Sequence, residues 1–177
     1  TRISTISILK LNGMPIAAQH FLNKNQIFKK DKFLNLNILQ CPKCSFVQLN
    51  IKPVKYFKKV ITSTSISGST RNLRLEQMKS FRKKFLLKSK KVIEIGCGSG
   101  AMLDIINQAG MKAYGLEHSK KSVALGKLKK RRIFQGYLND LKYLKKSPYD
   151  AFVCYNFLEH MPNINLFVKK IRENIKD

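Results

Sequence analysis

The sequence contains no tryptophan, and only 10 acidic residues stand against 35 lysines and arginines, a formal net charge of +25. Its four cysteines, Cys41, Cys44, Cys97 and Cys154, are too few and too unevenly spread for a secreted disulfide framework. No apolar run approaches the roughly 20 residues that a bilayer-spanning helix needs. There is no basic start, apolar stretch and small-residue cleavage site of a signal peptide. These absences point to a soluble, cytoplasmic protein with no membrane partner. The hydrophobic fraction of 44% is enough to build a packed core, which excludes wholesale disorder.

The shortage of acids creates a field that attracts polyanions, and nucleic acid is one reading of it. Yet the basic residues are scattered in pairs, from Lys29-Lys30 to Lys169-Lys170. Few aromatics are interleaved with them as a stacking platform requires. The chain is also rich in lysine, asparagine and isoleucine throughout, as AT-rich coding sequence tends to be. Nucleic acid is therefore possible as a partner but not favoured.

Ile3 to Leu11 roughly alternates apolar and polar, and Asn12-Gly13 signals a turn. Leu34, Leu36 and Ile38 alternate with polar neighbours and lead into Cys41-Pro-Lys-Cys44 and then Phe46-Val-Gln-Leu49. This predicts a small β-rich module over residues 1–60. A hydroxyl-rich stretch at 60–72 predicts a loop and a boundary, and Leu73, Leu75, Met78, Phe81 and Phe85 approximate helical spacing, so 61–88 reads as linker loop and helix.

From residue 89 to 177 strands and helices alternate. Lys91 to Ile95 is a strand, Ala101 to Ala109 a helix closed by Gly110, Lys112 to Leu116 a strand, and Ser119 the cap of a helix running to about Lys130. Arg132 to Gln135 and Tyr149 to Tyr155 are further strands, and Asn163 caps a last helix. Such repetition predicts an α/β fold with a parallel, doubly wound, Rossmann-like sheet. The chain begins with Thr rather than Met and stops after the fourth strand–helix unit. It therefore reads as a fragment, its sheet incomplete and its fourth strand an unpaired edge.

The strongest signal is Val92-Ile-Glu-Ile-Gly96-Cys-Gly98-Ser-Gly100. Glycines let a backbone leave a strand sharply and approach a ligand without a Cβ in the way, and the helix that follows offers unsatisfied N–H groups. With Ala101 the turn also satisfies the loose dinucleotide fingerprint, so a nicotinamide cofactor is the competing reading. Glu94, two residues before the first glycine, tips the balance. An acid there followed by GxGxG resembles the first motif of the class I S-adenosylmethionine-dependent methyltransferases.

That resemblance implies that Glu94 helps hold the amino group of S-adenosylmethionine, and that Gly96, Gly98 and Gly100 line its methionine portion. Gly115-Leu-Glu117-His-Ser119 is similar to the second motif, which assigns Glu117 to the ribose hydroxyls with His118 beside it. Gly136-Tyr-Leu-Asn-Asp140 is similar to the adenine-facing loop, with Leu138 and Asn139 nearest the ring; Asp140 alternatively caps a short helix. Asn156-Phe-Leu-Glu-His160-Met-Pro162 resembles the N-x-L-E-H-x-P segment of small-molecule methyltransferases, placing Asn156 at the cofactor. His160 would take or relay a proton from the acceptor, or else shape the pocket with Glu159. The Asn-Pro-Pro-Tyr pattern of base amino-group methylation is missing. So is a Pro-Cys nucleophile, since Cys154 follows Val153.

The front part resembles a narrower group, the zinc-module-containing sugar C-methyltransferases. Gly13-Met-Pro-Ile-Ala17 and Cys41-Pro-Lys-Cys-Ser-Phe-Val-Gln-Leu49 match that group's segments in order. The resemblance implies a structural zinc with Cys41 and Cys44 as half of its ligands, the other pair lying before Thr1; four ligands are normally needed, and His20 is the only nearby spare. It also implies C-methylation of a nucleotide-linked keto-sugar. Ser65-Ile-Ser-Gly-Ser-Thr70 departs from the group's pattern in having serine where a tyrosine is expected, and a later Glu-His pair has no counterpart up to Asp177. Two alternatives stay open: an O- or N-methyltransferase acting on another small molecule or RNA, and a non-catalytic fragment that binds cofactor or a polyanion.

Overall fold

The computed structural model describes residues 4–16, 24–25, 32–52, 66–142 and 144–176. The chain divides into two compact units, Thr1–Ile61 and Thr62–Asp177.

The first unit is a three-stranded antiparallel sheet, β1 (Ile6–Pro15), β2 (Phe33–Gln40) and β3 (Val47–Leu49), in that order. Asn12-Gly13 does not turn the chain as expected. Gly13 lies inside β1 at φ +66°, where the register with β2 slips between Leu11 and Met14, and its N–H donates to Asn35 Oδ1 at 3.0 Å. A left-handed glycine within a strand makes a bulge when the partner strand continues past it, and pairing with β2 continues to Pro15↔Phe33. The β2–β3 connection is the Cys41–Cys44 turn, closed by Cys41 N–H to Phe46 O and Ser45 N–H to Cys41 O. Cys41 is the one buried residue among those described in this unit.

The second unit opens with α1 (Gly68–Lys84), which starts about five residues earlier than hydrophobic spacing predicts. Ser67 caps it by accepting from Thr70 N–H, so the last part of the hydroxyl-rich stretch is helix and its cap rather than loop. Ser65 and the rest of that stretch from 60 lie outside the described residues, as do Ala17 and His20.

Then β4 (Lys91–Ile95), α2 (Ala101–Gln108), β5 (Lys112–Glu117), α3 (Lys120–Leu128), β6 (Ile133–Gln135), β7 (Ala151–Val153) and α4 (Ile164–Arg172) follow. The strands form a fully parallel sheet in the order β6-β5-β4-β7. One core cluster packs α2, α1 and α3 against one face, with Met78, Leu103, Ile106 and Val123 buried; the other gathers Ile93, Leu116, Leu138, Tyr149 and Phe167 beneath α4. Caps are local and fall where expected: Ser119 accepts from Ser122 N–H and Asn163 from Leu166 N–H. Gly110, at φ +87°, follows α2.

The fourth strand is shorter than its apolar run, and its edge is not wholly unpaired. Tyr149 N–H donates to Asn174 O and Lys176 N–H to Tyr149 O, a parallel bridge between Tyr149 and Ile175 just ahead of β7. Chain returning from α4 thus satisfies backbone groups that an open edge leaves unmet. Among the described residues, no helix is long and apolar enough to cross a membrane.

Candidate functional site

β4 carries Val92, Ile93 and Ile95 almost wholly buried, as a strand covered on both faces requires. It sits between β5 and β7, so connections leave it in opposite directions and open a crevice at its carboxyl end. The glycine turn lies there. Gly96, Gly98 and Gly100 all have left-handed φ, at +74°, +55° and +86°. Backbone bonds hold the turn: Gly96 and Cys97 N–H both donate to Leu116 O, and Gly100 N–H donates to Cys97 O at 2.8 Å. Gly100 caps α2 without a side-chain bond, leaving first-turn amides of α2 free of a side-chain acceptor.

Two carboxylates underlie the turn. Glu94 is 4% exposed, and its Oε2 is buried with no hydrogen-bond partner. Burial, with the Glu117 charge adding to it, pushes its carboxyl up to about 8. Glu117 is nearly as buried but well supplied: Oε2 accepts from Gly98 N–H at 3.0 Å, Oε1 from Ser119 N–H at 2.8 Å, and His118 Nδ1 lies 3.1 Å from Oε1. Each carboxylate oxygen has two acceptor directions, so these contacts fill Oε1 and leave one direction on Oε2. Cys97 in the turn is buried, which drives its thiol well above the usual range.

A small cleft opens above the turn, lined by Ile95, Gly96, Leu116, His118, Gly136, Tyr137, Leu138 and Phe157. The Tyr137 ring lies between His118 and Phe157, 6.5 Å from each by ring centroid, and its hydroxyl reaches Met161 Sδ at 3.2 Å. Phe157 lies so close over Gly96 that a Cβ there would meet its ring at 2.2 Å, which makes glycine obligatory at 96 on space as well as on φ.

Of the residues expected at the site, Gly96, His118 and Leu138 line the cleft. Gly98 and Gly100 belong to the turn, Glu117 is buried and bonded to Gly98 N–H, and Glu94 is buried in β4; none of these four lines the cleft. Asn139 is turned toward α4: its Nδ2 donates to Asn163 O at 3.4 Å, while its buried Oδ1 lacks a partner. Asp140 ends the short 3-10 turn Leu138–Asp140. Asn156 is exposed and left-handed at φ +48°, a conformation asparagine tolerates, and it aims the next residue, Phe157, at the turn. His160 ends the 3-10 turn Leu158–His160, its Nε2 4.0 Å from Glu159 Oε1, and does not line the cleft. Phe157 and Tyr137 line the cleft and lie within the quoted motifs, at positions to which those motifs assign no role. Their signal was position, each adjoining the carboxyl end of a parallel strand.

The cysteine turn presents only two thiols. Backbone N–H groups of Cys44 and Lys43 lower the Cys41 thiol from its ordinary value. Among the described residues no three His, Cys, Asp or Glu side chains gather as metal ligands. Zinc at Cys41 and Cys44 is therefore not supported, since two thiols fall short of a tetrahedral set.

A family model described as a methyltransferase domain matches residues 70–177, well over half of the chain. Among curated proteins, the ubiquinone biosynthesis O-methyltransferase of Pelagibacter ubique is 29% identical over 94 residues, covering 51% of this chain and 39% of the relative. That of Bordetella avium is 26% identical over 96 residues, covering 51% and 40%. The chain thus matches about two fifths of the length of these relatives. Among solved structures, the plantazolicin methyltransferase BpumL, in complex with a triazolic desmethylPZN analog and SAH, superposes with a TM-score of 0.53 at 17% identity over 62% of this chain and 44% of that one. A methyltransferase from Clostridium acetobutylicum gives 0.50 at 12% identity over 60% and 47%. With the parallel sheet, the glycine turn at its switch point and the matching family model together, the chain belongs to the class I S-adenosylmethionine-dependent methyltransferases.

Proposed function

We propose that the intact protein transfers a methyl group from S-adenosylmethionine to a small molecule, and that the cleft over the glycine turn receives the cofactor. The observation that carries this reading is Glu94: a buried carboxyl, one oxygen without a partner, at the end of the strand that leads into the turn. An orphaned acceptor in the interior is unfavourable unless a donor arrives, and a cationic amine is such a donor. The other residues fit the same group. Gly96 lines the cleft beside the Phe157 ring, Glu117 keeps one acceptor direction on Oε2 for a hydroxyl, and Leu116 and Leu138 add apolar lining suited to a flat ring. When bound, S-adenosylmethionine supplies an electrophilic methyl on a sulfonium. The chain's own part is to orient both reactants and exclude water. His160, beyond the cleft, is the residue to move a proton from the acceptor.

For the acceptor we propose a carbon of a nucleotide-linked keto-sugar. The support is the order of segments at 13–17 and 41–49, in a module of residues 1–60 ahead of the methyltransferase domain. A basic surface of +25 also suits a diphosphate. A second reading, methylation of an oxygen of another small molecule, is favoured by the curated relatives, which are named as ubiquinone biosynthesis O-methyltransferases.

Calorimetric titration with S-adenosylhomocysteine and, in parallel, with a nicotinamide dinucleotide tests the cofactor. Saturable binding of the first alone is expected, weakened at least about 10-fold, or 1.4 kcal/mol, in Glu117→Ala. Binding of the dinucleotide alone overturns the reading.

A further inference from the structure

Five of the six residues from Lys127 to Arg132 are basic, yet they do not behave alike. Lys129 and Lys130 are exposed, and the Arg132 guanidinium lies 5.5 Å over the Tyr114 ring. Only Arg131 turns inward, its side chain 9% exposed. The end of α3 imposes this: Lys130 adopts a left-handed φ of +57°, and Arg131 N–H donates back to Gly126 O at 3.1 Å. Each nitrogen of the Arg131 guanidinium then donates to one of two partners far away in sequence. Nε donates to Asp104 Oδ1 at 3.0 Å, Nη2 to Asp104 Oδ2, and Nη1 to the Ser99 carbonyl at 2.8 Å.

Ser99 lies between Gly98 and Gly100, where left-handed glycines on either side leave the peptide planes free to rotate. A charged donor on the Ser99 carbonyl fixes one such plane, and the bidentate grip on Asp104 fixes the first turn of α2 to the same guanidinium. Gly126 makes room for this carbonyl, since a Cβ there would lie 2.8 Å from Ser99 O. Across the turn, Glu117 holds Gly98 N–H. Adjacent residues of the turn are thus held by two side chains of opposite charge.

We propose that Arg131 is a positioning residue that holds the glycine turn in the form that receives the cofactor; this rests on the turn being the cofactor site. Arg131→Met keeps the apolar stem against Gly100 and removes every donor; Arg131→Lys keeps the charge without the fork. Ile106→Ala, at a fully buried position of α2, serves as a control of similar stability loss. On the 177-residue chain, Arg131→Met is expected to bind S-adenosylhomocysteine at least about 10-fold more weakly and to exchange the Gly98 and Gly100 amides at least about 10-fold faster, with Arg131→Lys between it and wild type. Ile106→Ala should lower the thermal midpoint while leaving affinity within about twofold. Wild-type affinity and exchange in Arg131→Met overturn the proposal, as does an equal loss of affinity in Ile106→Ala. Should the wild type bind no S-adenosylhomocysteine, the cofactor reading fails, and the exchange rates alone still decide whether Arg131 holds the turn.

Discussion

Glu94 carries its carboxyl at about 8 because burial disfavours the charge and Glu117 adds to the penalty. Unfolded, the same group ionises near its ordinary value, about 4.5. Between these values the folded chain holds a proton that the unfolded chain has released, so stability must fall as pH rises from about 5 to 8. We expect the unfolding free energy of the ligand-free chain, measured by urea denaturation, to drop across this window by on the order of 4 kcal/mol in all, and Glu94→Gln to flatten that fall. The same shift sets the pH dependence of binding. If the ionised carboxylate receives the cofactor amine, affinity for S-adenosylhomocysteine rises roughly tenfold per pH unit below 8 and levels off above it, in wild type but not in Glu94→Gln. A pH-independent affinity in wild type would place the amine elsewhere. The places of Glu94 and Glu117 beside the turn were legible because they follow from position in a strand and distance from a glycine. Phe157 was not, because nothing local says that a left-handed Asn156 aims the next ring at Gly96.

The elements repeat this division. Strand β4, helix α2 and the caps Ser119 and Asn163 follow from short-range rules, and the structure carries them at the expected places. The start of α1 and the bulge at Gly13 do not, since a hydroxyl caps or loops, and a glycine turns or bulges, according to what the neighbouring chain does. Asn174 shows the long-range side most directly. Buried at 3% exposure, it accepts from Leu144 N–H, donates to Lys170 O, and offers its backbone carbonyl to Tyr149. It joins α4, the approach to β7 and the returning chain. Asn174→Ala leaves the Leu144 amide buried without an acceptor, and we expect a loss of about 1–3 kcal/mol by urea denaturation with an unchanged slope. A loss under about 0.5 kcal/mol would show that water or a shifted backbone replaces the side chain.

At the scale of the whole molecule the dominant feature is charge. A surface of +25 attracts any polyanion, and such attraction weakens steeply as salt rises. Binding in a half-buried cleft that relies on an ionised carboxylate and apolar walls is screened far less. We expect the affinity for S-adenosylhomocysteine to change less than about threefold between 0.1 and 0.4 M NaCl, while association with single-stranded RNA falls by more than about tenfold over the same range. RNA binding that resists salt and responds to sequence would make nucleic acid the substrate and displace the small-molecule reading.

Alternation of apolar runs, three glycines after a strand and an acid two residues before them are local patterns, and the sequence by itself determined from them the fold class, the turn and the cofactor family. Tertiary structure decided what depends on convergence. It set Phe157 and Tyr137 around the cleft, bonded Asn139 to the start of α4, paired Tyr149 with returning chain, and selected Arg131 from among five basic residues. The reason is physical: a basic side chain leaves water only where a carboxylate and a carbonyl meet it together, and Asp104 and Ser99 lie 27 and 32 residues away along the chain.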